Sequence, residues 1–109
     1  RFRAACAAAG ITAPITPGIF PVANWARARK FAETCGTPIP VATATAFDRA
    51  EREDRAHLFA LTHCADLCDT LITEGVDKLH FYTLNRPDLT LKVCRALGLV
   101  RPTQMRNVA

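Results

Sequence analysis

The spacing of apolar residues along the chain predicts mostly helix, interrupted twice by extended segments. Residues 1 to 9 are Ala-rich and helix-favouring, and Gly10 is a fitting stop, so they read as the end of a helix. Ile11 to Thr16 is a short apolar run, but Pro14 inside it argues against an ordinary central strand. A turn-rich stretch, Pro17 to Val22, follows. Asn24 is a good N-cap for a helix over 25 to 35 that Gly36 stops, with Trp25, Ala28, Phe31 (with Ala32) and Cys35 on one face. Residues 37 to 41 make a connector, and Ala42 to Phe47 a short helix. Asp48 is placed to cap a long helix over 50 to 74, whose apolar stripe is Leu58, Leu61, Ala65, Cys68 and Ile72 and which Gly75 ends.

Val76 to Thr83 has the β-favouring composition of a strand, and Leu84-Asn85-Arg86 is the loop after it. Pro87 then stands where a helix takes its first residue, and Asp88 suits the positive end of the helix dipole. Leu89, Val93, Ala96 and Leu97 form the buried face of this last helix, which Gly98 stops. The tail from Arg101 shows no periodicity and reads as loose. Each strand is followed by helix and no hairpin signal occurs, which predicts parallel strands joined by crossovers. The fold class expected is therefore α/β: about two strands with their helices.

Composition narrows the function classes. Of 109 residues, 50% are hydrophobic and 22% charged, which is globular rather than disordered. The net charge of +4 suits an acidic small ligand. The basic residues are scattered and not interleaved with aromatics, which argues against nucleic-acid binding. No apolar run approaches the about 18 residues that span a bilayer, so no membrane partner is expected. The five cysteines, an odd number, read as reduced, buried thiols of a cytoplasmic protein. The chain opens on Arg1, not Met, and carries no targeting signature, so a fragment is the expectation.

Chemistry concentrates in His80-Phe81-Tyr82-Thr83-Leu84-Asn85-Arg86. In parallel α/β architectures the C-terminal ends of strands face the ligand, which would place Tyr82, Leu84, Asn85 and Arg86 there. Alternation puts His80 and Tyr82 on one face and Leu79 and Phe81 on the other. The plainer reading is that Asn85 caps the helix and Arg86 solvates its start. For Phe31 the plainer reading is core packing with Trp25 and Cys35. His57, His63, Cys64 and Cys68 share a helix, but zinc sites use two separated ligand pairs, so no metal is expected. A catalytic thiol needs a positioned base, which sequence adjacency of His63 and Cys64 does not supply. Pro17-Gly18 has one glycine and no Gly-Lys-Ser pattern, which excludes a nucleotide-hydrolysing loop. The long amphipathic helix could serve a partner, although packing on a sheet is its default role.

His80 to Arg86 is similar to the signature on the last barrel strand of methylenetetrahydrofolate reductases. Ile15 to Val22, followed by Asn24, resembles that family's preceding strand and loop, and Arg1 to Gly10 the end of the helix before it. The resemblance runs over residues 1 to 102, weaker from 41 to 56, with 103 to 109 as a loose tail. It implies the C-terminal portion of a (β/α)8 barrel, a fold that needs about 250 residues in full. It also implies a flavoenzyme holding FAD, which NADH reduces before 5,10-methylenetetrahydrofolate binds in the same place and becomes 5-methyltetrahydrofolate.

Residue by residue, the resemblance makes Arg86 a folate contact and Phe31 the ring that stacks on nicotinamide or folate. Tyr82 and Leu84 line the same pocket. Arg27 stands where the family usually has a folate-binding glutamine, and arginine donates but cannot accept. No tryptophan follows Ile39-Pro40, another departure. The family's catalytic glutamate belongs to an early strand and its FAD-gripping residues to middle strands, so no catalytic residue is expected in this chain. Glu33, Glu51, Glu53 and Glu74 read as solvated charge. The alternative function is an inactive family fragment that binds a ligand or a partner, and an unrelated small α/β binding domain is a third reading. Exposed strand edges imply that the chain is oligomeric or poorly folded unless the rest of a barrel covers them.

Overall fold

A computed structural model, which describes residues 1–99, contains five helices and a two-stranded parallel sheet. The elements are α1 (Phe2–Ala8), β1 (Gly18–Ile19), α2 (Trp25–Thr34), α3 (Val41–Arg52), α4 (Ala56–Thr73), β2 (His80–Phe81) and α5 (Asp88–Ala96). Gly18 pairs with His80 and Ile19 with Phe81. The ladder continues one bond at each end, with His80 N–H donating to Pro17 O at 3.1 Å and Tyr82 N–H to Ile19 O at 2.9 Å. The expected loose tail lies outside the described residues.

Helix ends follow local chemistry. Asn24 Oδ1 accepts the Arg27 N–H at 2.9 Å, capping α2 as its position implies. Gly10, Gly36, Gly75 and Gly98 all follow helices with φ between +65° and +92°, the left-handed stop that glycine adopts without a Cβ penalty.

Several expectations need correction. Strand structure falls at Gly18–Ile19, inside the stretch read as turns, because Pro14 and Pro17 remove ladder donors before it. The second strand is two residues long, not eight, since it has only β1 to pair with among the described residues. Asp48 caps nothing. It lies inside α3, and the helix break comes at Asp54, whose φ of 54° ends α3. Asp48 instead accepts the Trp25 indole N–H at 2.7 Å and a 3.4 Å hydrogen bond from Arg29, tying α2 to α3. Pro87 is the N-cap of α5 and not its first residue, so the helix begins at Asp88, one residue later than expected.

The core has two parts. Ile19, Cys64, Cys68 and Val93 form one cluster, with Leu61, Leu71, Leu79, Phe81, Leu89 and Leu97 packed against it. The buried row of α4 is thus Ala60, Cys64 and Cys68, rotated from the expected stripe, and Leu58 and Ile72 are exposed. Both α3 and α5 pack on α4, and serving these two neighbours turns the helix. Ala96 is likewise exposed. The second part is aromatic: Trp25 stacks on Phe47 at 4.7 Å, and Phe59 and His63 meet Phe47 edge-on.

Candidate functional site

The chain leaves β2 through an unusual turn. Leu84 and Asn85 both have positive φ, 48° and 60°, and Arg86 N–H closes the turn on Thr83 O at 2.8 Å. Two consecutive left-handed residues define the primed type of tight turn. Asn accepts that conformation through its short polar side chain, whereas Leu84 carries a real steric cost, about 1–2 kcal/mol. Asn85 is therefore a turn former and not the helix cap. Backbone strain of this kind concentrates at functional sites, and here it presents Leu84 and Arg86 at the C-terminal end of the strand.

A cleft of about 410 Å³ opens at that end. Arg27 and Phe31 from α2, Tyr82 and Leu84 after β2, and Arg86 before α5 all line it. The structure brings together the five residues that the family resemblance assigns to ligand binding, whereas Asn85, also expected at this strand end, does not line the cleft. Two arginines, Arg27 and Arg86, line this space, and no Asp or Glu does. The site is therefore positive, with an aromatic wall, which suits a flat ligand bearing negative charge.

Phe31 is 57% exposed, so it is not a core residue. Its ring lies at 5.8 Å and 13° from Phe20, a stacked pair. Trp25, on the same helix, turns instead into the aromatic core. Phe20 was not foreseen as a site residue; the Phe20 to Phe31 stack is made by tertiary packing and leaves no mark in the sequence beyond an aromatic in a turn. Beyond this stack a larger apolar cleft, about 700 Å³, runs along Val22, Ile39 and Leu67, sharing Phe31, Tyr82 and Leu84.

Other reactive residues lie elsewhere. His63 belongs to the aromatic cluster and Cys64 to the buried core, so they are not a base and nucleophile pair. Burial, reinforced by the neighbouring Cys68, pushes the Cys64 thiol up to about 12, and burial raises Cys94 as well. Those thiols stay protonated and unreactive near neutral pH. Among the described residues no group of three or more His, Cys, Asp or Glu side chains could hold a metal ion, and no helix is long and apolar enough to cross a membrane. Glu33, Glu51, Glu53 and Glu74 are all exposed and none lines the positive cleft.

The methylenetetrahydrofolate reductase family model matches residues 1–98 of this chain. The 5,10-methylenetetrahydrofolate reductase of Escherichia coli (strain K12) is 41% identical over 103 residues, covering 94% of this chain and 34% of that protein. The enzyme of the same name from Pectobacterium carotovorum subsp. carotovorum is 38% identical over 107 residues, with 97% and 36% covered. Methylenetetrahydrofolate reductase (NADH) 1 of Arabidopsis thaliana is 30% identical over 96 residues, 16% of its length. The chain thus spans about a third of the length of these bacterial relatives.

Proposed function

The chain belongs to the methylenetetrahydrofolate reductase family, and from that premise we propose that its positive cleft is the substrate-side wall of a site that reduces 5,10-methylenetetrahydrofolate to 5-methyltetrahydrofolate at the expense of reduced nicotinamide. The observation that carries this reading is the convergence of Arg27, Phe31, Tyr82, Leu84 and Arg86 on one cleft from three separate segments. In the proposal Phe31, backed by Phe20, offers a flat apolar face. Such a face takes a pterin or a nicotinamide ring equally well, because stacking asks for shape more than for particular hydrogen bonds. Arg86 anchors the anionic part of the folate, and Arg27 supplies a second donor. Tyr82 and Leu84 close the sides and keep water from the bound ring. One surface serving two ligands in turn implies that they exclude one another.

The family resemblance also implies FAD, which supplies the hydride-transferring ring when bound. The five glycines, at positions 10, 18, 36, 75 and 98, are never clustered, so no glycine-rich turn wraps a pyrophosphate. The described residues do not fit FAD by themselves. In the proposal its binding, and the carboxylate that moves a proton to the folate, fall to the rest of a (β/α)8 barrel covering the open edges of β1 and β2. The partner of this chain is that remainder, on the same polypeptide or on a second one.

Titration of the chain with folic acid and with NADH, followed by amide NMR, tests the reading. Both are expected to shift the amides of Arg27, Phe31 and Arg86, and saturation with one is expected to suppress binding of the other. Binding of either ligand away from these amides, or simultaneous binding of both, overturns it.

A further inference from the structure

Gly18 lines neither cleft, yet it sits where it can set the shape of both. Its φ is not in the left-handed region, so the backbone there does not call for glycine. Space is the reason. Ile19 points into the core, so Gly18 belongs to the opposite face, with its partner His80 and then Tyr82. The Tyr82 ring lies across this bare backbone. A Cβ on Gly18 would stand 2.5 Å from Tyr82 Cε2, 2.9 Å from its Oη and 3.1 Å from its Cζ. His80 meets the ring edge-on at a centroid distance of 4.9 Å. Tyr82 lines both clefts, so a displaced ring changes their shape.

We propose that Gly18 is a positioning residue: its missing side chain seats the Tyr82 ring flat on β1 and thereby holds the aromatic cleft open for its ligand. It acts through Tyr82 and touches no ligand itself. Because the clashing atoms belong to the end of a half-exposed side chain, a methyl group at position 18 leaves the fold standing and swings the ring into the cleft. The consequence for ligand binding rests on the reading of the cleft given above; the seating of the ring does not.

Tyr82 is the only tyrosine in the chain, so a sample labelled at tyrosine with ¹³C reports its ring alone. In Gly18→Ala the ring resonances are expected to move and to gain cross-relaxation with Phe31 and Leu84, with helix content unchanged. Affinity for folic acid is expected to fall by about tenfold or more. In a Tyr82→Ala background the same substitution should change affinity less than about twofold, since the double-mutant cycle isolates the pair. Unmoved ring signals in Gly18→Ala, or an equal affinity loss in both backgrounds, overturns the proposal. If Gly18→Ala fails to fold, the Gly18→Ala/Tyr82→Ala double variant must fold; failure of both means the strand itself needs glycine, and the proposal is wrong. Should the unaltered chain not bind folic acid, the assigned ligand fails, and the ring signals alone decide the seat.

Discussion

Removal of the Phe31 ring separates the site reading from ordinary packing. The side chain is 57% exposed, so less than half of its area is removed from water. Complete burial of a phenylalanine is worth about 1.5–3 kcal/mol, and the portion at stake here is therefore roughly 1 kcal/mol. The stack on Phe20 adds about 0.5–1.5 kcal/mol. Phe31→Ala should thus cost the fold about 1.5–2.5 kcal/mol. The ligand loses more relative to its total. Stacking of a nucleic-acid base on an aromatic side chain is worth about 1–3 kcal/mol, and a pterin is a comparable flat heterocycle. That converts to roughly a 5- to 150-fold weaker affinity. Phe31→Tyr keeps the face and should stay within about threefold of the original. Calorimetric titration with folic acid reads affinity, and urea unfolding followed by fluorescence of Trp25, the single tryptophan, reads stability. Unchanged affinity in a folded Phe31→Ala chain would show that the ring is not the platform. A collapse of the urea midpoint with proportional loss of binding would place Phe31 in the core.

Four further outcomes follow from the same geometry. Arg86→Lys retains the charge but not the planar fork, so titration at rising salt should show folic acid binding about 1.5 kcal/mol or more weaker; full retention would reduce Arg86 to a point charge. Asn85→Gly should be neutral or mildly stabilising in urea, whereas Asn85→Val, a β-branched residue at φ 60°, should lose about 2 kcal/mol and with it the aim of Arg86; equal stabilities would mean that the turn relaxes. The Cys64 thiol, ordinarily near 9.0, is pushed up to about 12 in the fold. The unfolded chain therefore releases this proton first as pH rises, so the stability is whole below pH 9 and is lost between 9 and about 12, by up to about 1.4 kcal/mol per pH unit. Urea midpoints across that range measure it; a flat profile in the unaltered chain, or an equal loss in Cys64→Ala, would refute the burial argument. Thiol labelling near pH 8 should find the exposed Cys35 first.

Legibility differed by the range of the interaction involved. Asn24, Gly36, Gly75 and Gly98 could be placed by eye because a cap or a left-handed stop is decided by the residue and its immediate neighbours. The alternation of Leu79 and Phe81 against His80 and Tyr82 was equally readable, since a strand has no choice but to alternate. Tyr82, Leu84 and Arg86 were legible as cleft residues because they fall within seven adjacent residues that carry a family resemblance, and the fold then brought Arg27 and Phe31 of α2 to the same cleft. Helix register was another matter. Leu58 and Ile72 looked like core because α4 has apolar residues on more than one side, and only α3 and α5 decide which side is covered. Asp48 looked like a cap because Asp usually is one; its real partner, the Trp25 indole, lies 23 residues away.

The sequence by itself therefore determined the alternation of helices with two extended segments, the helix stops, the division of the second strand into two faces, and the family. Each depends on chemistry within a turn or a strand pair. Only the tertiary structure decided that Phe20 backs Phe31, that Tyr82 lies across Gly18, and that Leu84 and Asn85 take left-handed backbones to present Arg86. The seat of Tyr82 on Gly18 arises where β1 and β2, more than 50 residues apart, meet at one edge, and the Phe20 to Phe31 stack where the β1 loop meets α2; close packing between separate segments leaves no periodic trace in the chain.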